Sequence, residues 1–422
     1  MVHTQPRRHP ETYRWVILAA TCVIGFMTVG LRETFGNFLK VMITDLNWNY
    51  ETISLIILCN LWLSGILQPF AGHIMDRFGP KWLFTVSVIL YGLGIGMIGL
   101  TQSVWHLTVV YGLLLGSATA GASISLSNAI VAQSFPPQRR AFAISLNNGT
   151  VALGRLALIY ISYALLERHG WRLSHVYLGA LVLVLTIPAA LLMPQRRVAS
   201  GNAAGAAGQQ PAVPAPLEVT RWHESLRSAP IWQIMGGYFV CGVTVNLSIY
   251  LIPFATDRGF LQAEAVKAMS FMAVCTFLGS IASGVISDRI GRKNVLALAY
   301  AIRAVAFGIL LLWHDPRALF LFALLGGISW LATPPSVMAL TGEIYGMRTI
   351  GTIGGISLLA HQIGGGASVW LAGKLRDLTG SYDVSFTLAI LALVVATLVS
   401  FLISERRYSV RYTTSVPSAA GD

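Results

Sequence analysis

Apolar runs long enough to cross a bilayer follow one another along almost the whole chain, and no other feature limits the fold so strongly. They fall at about 15–38, 50–71, 82–102, 106–133, 140–165 and 173–193, then at 231–256, 264–286, 294–313, 317–341, 349–372 and 383–404. One helical crossing takes about 20 apolar residues. Backbone polar groups in lipid must be satisfied within the chain, so runs of this length predict helices. The expected fold is an all-α membrane protein with twelve transmembrane helices. Composition agrees. Of 422 residues, 55% are hydrophobic and only 11% charged, against about 25% charged in soluble proteins. A soluble domain, a disordered chain and a disulfide-stapled secreted scaffold are excluded. Cys22, Cys59, Cys241 and Cys275 each stand alone in an apolar run without CxxC spacing. They read as small buried hydrophobes. Three arginines precede Trp15, and no A-x-A site follows, so the first span is expected to stay uncleaved.

The spans divide into two sets of six. The reading is a tail at 1–14, a first bundle at 15–193, a linker at 194–230, a second bundle at 231–404 and a tail at 405–422. The linker opens with Arg196 and Arg197 and continues GNAAGAAGQQPAVPAP, a low-complexity stretch. It closes with LEVTRWHESLRSAP, which suits a short amphipathic surface helix. The net charge is +12. Eighteen of the 29 Lys and Arg residues fall on the side of the termini, eight on the other side and three within spans. This bias predicts cytoplasmic termini in a multi-pass protein. It also accounts for the basic excess through the membrane, with no nucleic acid as partner.

The two sets share a turn. GHIMDRFGPK (Gly72 to Lys81) follows the second span and GVISDRIGRK (Gly284 to Lys293) the eighth. Gly72, Asp76, Arg77, Gly79 and Lys81 recur as Gly284, Asp288, Arg289, Gly291 and Lys293, 212 residues later; Arg292 completes the second copy, where the first has Pro80. Weaker echoes pair Gly154 with Gly364 and Gly170 with Gly380 at 210. Such duplication points to two pseudo-symmetric six-helix bundles, a design common among secondary transporters. The turns resemble the G-x-x-x-D-R-x-G-R-K signature of the major facilitator superfamily, and the resemblance covers the whole chain. Within it, GLRETFGNF (Gly30 to Phe38) and LAHQIGGGASVWLAGKLRDLTGSYD (Leu359 to Asp383) look most like the bacterial branch related to monocarboxylate and oxalate/formate carriers. That group typically carries an arginine in its eighth span; here the eighth span has none. The resemblance implies an inner-membrane carrier, not an enzyme, working as a monomer among lipid without a cofactor. The carboxylates of Asp76 and Asp288 are expected to meet a helix N-terminus or an arginine and to hold one closed state.

Ionisable groups inside spans are costly and are functional candidates by default. Arg32 and Glu33 lie in the first span, Arg155 in the fifth, Arg303 in the ninth and His361 beside Gln362 in the eleventh. Glu343 stands near the end of the tenth. The interior is net positive, and an arginine fork receives a carboxylate in bidentate fashion without losing its proton. Arg32 and Arg155 are the expected anion ligands, with Asn60, Asn246, Tyr250, His361 and Gln362 as polar lining. Asn128, Asn147, Asn148, Trp330 and Thr333 are weaker candidates of the same kind. Glu33 or His361 is expected to carry a proton, since an unperturbed imidazole titrates near pH 6.5. Arg303 either braces a neighbouring helix or belongs to the site. Pro334 and Pro335 are placed to interrupt the tenth span and free carbonyls.

GIGMIG (Gly94 to Gly99) fits G-x-G-x-x-G in form, but it lies inside a span with no preceding strand. It reads as close helix packing and not as a dinucleotide site. The function expected is proton-linked transport of a small organic anion, a monocarboxylate or an acid from aromatic breakdown. The alternative is a carrier or exporter of a larger, weakly charged metabolite such as a vitamin or lactone.

Overall fold

The computed structural model describes residues 11–135, 137–195, 222–345 and 350–404. The first span is two helices, α1 (Glu11–Arg32) and α2 (Phe35–Leu46), with the break at Glu33 and Thr34. There the Thr34 N–H and hydroxyl both turn back to the Leu31 carbonyl. Helix α3 (Tyr50–Phe78) starts where the Asn49 side chain accepts from the Thr52 N–H at 2.9 Å, an N-cap. Helix α4 (Pro80–Ile98) opens on Pro80, whose missing N–H costs nothing in a first turn. The fourth span runs through α5 (Val104–Leu107), a π-helical stretch (Thr108–Leu115), α6 (Gly116–Gly121) and α7 (Ile124–Ser134). Helix α8 (Pro137–Leu191) holds two passes that meet at Gly170, with φ 70° and ψ 171°.

The second lobe follows a short α9 (Trp222–Ser225), in the part of the linker where a surface helix is expected. Its first span is α10 (Ala229–Asn246), a 3-10 turn (Leu247–Tyr250) and α11 (Leu251–Asp257). Then come α12 (Gln262–Ile290) and α13 (Arg292–Leu312). The tenth span breaks after α14 (Pro316–Trp330) and resumes as α15 (Thr333–Tyr345), just ahead of the two prolines. Helices α16 (Ile350–Thr379) and α17 (Asp383–Phe401) complete it. Among the described residues, nine stretches are long and apolar enough to cross a membrane; one of them, Leu146–Leu191, contains the Gly170 turn. Most of linker 194–230, the 405–422 tail and residues 1–10 lie outside the described residues, as do the side chains of Asp76 and Asp288.

The backbone carries the duplication further than the sequence does. Six described residues have positive φ, and they form three matched pairs: Asn47 (53°) with Gly259 (81°), Gly79 (89°) with Gly291 (90°), and Gly170 (70°) with Gly380 (73°). The first two pairs are 212 residues apart and the third 210. The hydrogen bonds repeat too: Trp48 N–H reaches Ile43 O, and Phe260 N–H reaches Ala255 O, each at 3.0 Å.

Each lobe is braced at the face away from the chain ends, called the far face below. Arg172 pairs with Asp45 at 3.2 Å and donates to Thr101 O. Arg258 pairs with Asp383 at 2.9 Å and donates to Leu310 O and Leu311 O. In the first lobe the acid stands at the end of the first span and the base opens the sixth. In the second lobe these charges are exchanged.

At the far face the lobes are locked together. Asp257 accepts from Lys40 at 2.9 Å and from Arg376 at 2.8 Å and 2.9 Å. Asp377 accepts from the Tyr50 and Glu51 N–H groups that open α3, where a carboxylate also meets the helix dipole. Tyr250 bonds Ser54 across the seam and donates to Val369 O. Gly36 lies so near Ile249 O that a Cβ would stand 2.7 Å from it. Among the described residues, the hydrogen bonds between lobes run from mid-helix to this far face.

Candidate functional site

The break between α1 and α2 sets Arg32 and Glu33 at mid-depth in the seam. From the other side of the first lobe, α8 brings Arg155. Its Nη2 meets Glu33 Oε1 at 3.1 Å, and the two side chains are 16% and 13% exposed. The second lobe answers: the Ser248 hydroxyl, in the 3-10 turn, shares its hydrogen between Val245 O at 2.7 Å and Glu33 Oε2 at 3.2 Å. Arg32 Nη2 donates to Asn246 Oδ1 at 3.4 Å, also across the seam. One carboxylate is therefore shared between a guanidinium of its own lobe and a hydroxyl of the other. Among the described residues, Arg155 Nε has no hydrogen-bond partner.

Around this pair lies a cavity of about 20 Å³ walled by Ile159, Met269, Met272, Ala273, Thr276 and Trp330. That is room for about one water and no solute. Beyond the Glu33–Arg155 pair, the wall is apolar apart from Ser248 and Thr276, and methionines adapt readily to the shape of what they touch. A second cleft, about 480 Å³, opens at the far face between α2 and α11, with Lys40, Asp45, Thr256 and Gln262 on its rim.

The other expected residues fall in three places. His361 and Gln362 reach the seam on α16. His361 Nδ1 is 3.3 Å from Gln362 Oε1, its ring lies 4.8 Å from Tyr238, and Gln362 donates to Ser64 of the first lobe at 3.3 Å. Asn60 and Tyr250 are buried and bonded away from the cavity. Asn60 Nδ2 donates to Tyr111 O at 2.7 Å, a carbonyl presented by the π-helical stretch, and Tyr250 belongs to the far-face lock. Asn128, Asn147 and Asn148 bond one another.

Arg303 lies inside the second lobe, 0% exposed. Nη1 donates to Thr244 Oγ1 at 3.0 Å and to Cys241 Sγ at 3.6 Å; Nη2 donates to Ser329 O and Trp330 O. Those carbonyls are the ones released by the break in the tenth span. The guanidinium also stands 5.0 Å from the centre of the Trp330 ring, whose other surroundings include the cavity. Cys241 thus departs from the expected apolar role: its sulfur is a hydrogen-bond acceptor in a polar cluster.

Of the shared turn, Gly79 and Gly291 take a φ that a side chain would strain, which ends α3 and α12 at equivalent points. Arg292 donates to Glu343 at 2.6 Å and to Ser287. Arg77 lies 5.4 Å from the Phe78 ring centre, and Arg289 is exposed. Gly72 is half-buried in α3; the surroundings of Gly284 lie outside what is described.

Ser248, Ile159 and the α12 wall are additions to the sequence-based set. Met269, Met272 and Thr276 follow one another at helical spacing on α12, a pattern that marks a common face. Nothing in the sequence marks Ser248, because its role depends on a partner 215 residues away.

Known proteins share this architecture. A nucleoside transporter, NupG, superposes with a TM-score of 0.72 at 14% identity, covering 92% of this chain and 99% of its own. A bacterial homologue of the human lysosomal transporter Spinster, solved inward-facing and unoccupied, gives 0.68 at 20% identity over 95% of this chain and 100% of its own. In sequence, the MFS-type transporter YcxA of Bacillus subtilis is 23% identical over 90% of this chain and 91% of its own length. Monocarboxylate transporter 13 of Bos taurus is 25% identical over 89% and 85%. The family model of the Major Facilitator Superfamily matches residues 21–369 and 263–417. With that match over most of its length, two lobes of one design and a charged seam between them, the chain is a multi-pass membrane protein of the major facilitator superfamily of transporters.

Proposed function

We propose that this carrier moves a small organic anion with an apolar body, a monocarboxylate or an acid of aromatic breakdown, together with a proton across the bacterial inner membrane. The observation that carries this reading is the Glu33–Arg155–Ser248 contact. Glu33 occupies the guanidinium of Arg155 as a substrate carboxylate would. Protonating Glu33 removes its claim on that guanidinium, and removing one partner of a buried ion pair costs about 3–5 kcal/mol. An incoming carboxylate restores the pairing. Proton and anion binding are therefore linked, and each promotes the other. Arg32, whose contact to Asn246 is a long 3.4 Å, supplies a second cation from the same side.

The surrounding methionines, Ile159 and Trp330 favour an apolar remainder on the anion. The monocarboxylate transporters among the relatives support the same substrate class. The far-face lock, with cytoplasmic termini, corresponds to an inward-facing or occluded stage of alternating access in which the two lobes rock about the central site.

The test is uptake into proteoliposomes. Inward uptake of a labelled monocarboxylate or benzoate-type acid is expected to rise as the outside is acidified and to collapse when the gradient is dissipated. Uptake indifferent to the gradient removes the proton from the reaction. Preference for uncharged analogues over their acids favours the alternative carrier of weakly charged metabolites.

A further inference from the structure

The transport reading gives the anion a place at mid-depth and leaves its way out unmarked. The near half of the seam, on the side of the chain ends, holds a polar group suited to mark it. Helix α8 runs from Pro137 on that side to Gly170 at the far face, and Arg155 and Ile159 stand on its seam side. Asn148 precedes Arg155 by seven residues. Seven residues are about two helical turns, so Asn148 shares that side about 10 Å nearer the chain ends. Its neighbour faces the same way: a Cβ on Gly149 would stand 2.7 Å from the ring of Phe277 in the second lobe.

A relay of carboxamides decides which end of Asn148 is left for the seam. Asn147 Nδ2 donates to Asn128 Oδ1 at 2.8 Å, and Asn128 Nδ2 donates to Asn148 Oδ1 at 3.0 Å. The acceptor of Asn148 is thereby taken, and its amide hydrogens are the free end. Asn148 is half-buried; Asn147 is 0% exposed, and among the described residues its Oδ1 has no partner. Reversing the relay would bury the amide hydrogens of Asn147 unpaired instead, and an orphaned N–H is rarer in proteins than an under-satisfied carbonyl. The less costly direction is the one that turns donors outward. Among the described residues, the hydrogen bonds between lobes stop at mid-depth. Phe277 on Gly149 is an apolar contact, so parting the near half uncovers Asn148 without breaking a hydrogen bond.

We propose that Asn148 is a second carboxylate-binding site, an exit subsite that the anion meets once the near half of the seam opens. Its N–H groups donate to the carboxylate after Arg155 lets go. Asn128 and Asn147 are positioning residues that hold the carboxamide with its donors toward the seam. A neutral donor holds a carboxylate less strongly than a guanidinium does, which suits a place the anion must leave. The subsite rests on the transport reading and gives it a side: Arg155 serves both faces, whereas Asn148 serves only the near one.

Exchange of labelled benzoate, with KM read separately from each face of oriented proteoliposomes, tests this. Asn148→Asp keeps the shape and puts a like charge where the donors were. Losing a hydrogen bond to a charged group is expected to raise the near-face KM about tenfold or more while the far-face KM stays within about twofold. Should Asn148→Asp fail to fold, Asn148→Ala makes the same test by removing the donors. Asn128→Leu leaves Asn148 in place but frees its carboxamide to turn, and a smaller rise is expected, again on the near face alone. An unmoved near-face KM in the Asn148 variant overturns the subsite, and equal rises on both faces overturn its sidedness. No effect of Asn128→Leu removes the positioning relay. Native protein that exchanges no benzoate overturns the subsite together with the reading it rests on; native exchange with an unmoved Asn148 variant removes the subsite alone.

Discussion

Two buried arginines, one in each lobe, are solved in opposite ways. Arg155 meets a carboxylate at the seam, and that carboxylate is shared with the facing lobe through Ser248. Arg303 is enclosed in its own lobe and spreads its donors over Ser329 O, Trp330 O, Thr244 and the sulfur of Cys241. When the lobes part, the first arrangement loses its Ser248 bond while Arg155 and Glu33 stay together in their own lobe; a proton on Glu33 removes the charge pairing itself. The second survives any rigid rocking, because all of its members move together. The carboxylate on Arg155 thus gains and loses a partner as the lobes rock, whereas every partner of Arg303 moves with it.

The difference predicts how each responds to substitution. The largest expected effect is on stability: Arg303→Gln leaves two carbonyls and a hydroxyl short of donors, and removing a member of such a network costs about 3–5 kcal/mol. The measurement is the thermal midpoint of purified protein, and an unshifted midpoint removes Arg303 from the fold's support. Arg155→Gln is expected to act on transport instead. Its kcat/KM for anion uptake should fall by about 2–5 kcal/mol, or 30-fold and more, with a smaller loss of melting temperature than Arg303→Gln. If the two variants fall equally in both assays, the contrast between them is void.

Glu33→Gln sharpens the comparison. It keeps the shape and removes the titrating charge, so exchange of labelled for unlabelled anion is expected to persist while acid-driven net uptake is lost. The sign is set by the pairing: native uptake rises as protons load Glu33, and the variant is indifferent to them. A pH-dependent Glu33→Gln carrier moves the proton site elsewhere, with His361 as the obvious place.

Smaller effects belong to the far face. Lys40→Ala removes one of the two cations on Asp257, and an exposed pair contributes about 0.2–1 kcal/mol. Spin labels across α2 and α11 are expected to report a few-fold rise in far-face opening. The least effect is that of the braces. Asp45→Arg with Arg172→Asp gives the first lobe the charge order of the second. It should restore most of the stability, about 1 kcal/mol or less, that either single change removes, as read from the thermal midpoint.

Much of this was legible in the chain. The spans and the repeated GHIMDRFGPK and GVISDRIGRK turns carry the two-lobe plan, because apolar length and turn-forming glycine leave local marks. Charges inside spans singled out Arg32, Glu33, Arg155 and Arg303, because lipid makes such residues rare. What stayed hidden depends on distance along the chain. Glu33 and Arg155 are 122 residues apart, and Ser248 is 215 from Glu33. The repeat at Asn47 and Gly259 was also invisible, since two different residues both tolerate the left-handed conformation there. Cys241 looked like one more apolar residue because its meaning comes from Arg303 on a separate helix.

The cavity beside Glu33, with space for a single water, has a consequence for the cell. A carrier that works by alternating access must keep its site from opening to both faces at once. Here the guanidinium of Arg155 is filled by the chain's own acid, the far face is closed by Lys40, Arg376 and Asp257, and mid-depth has room for about one water, so this state offers no wide aqueous path through the seam.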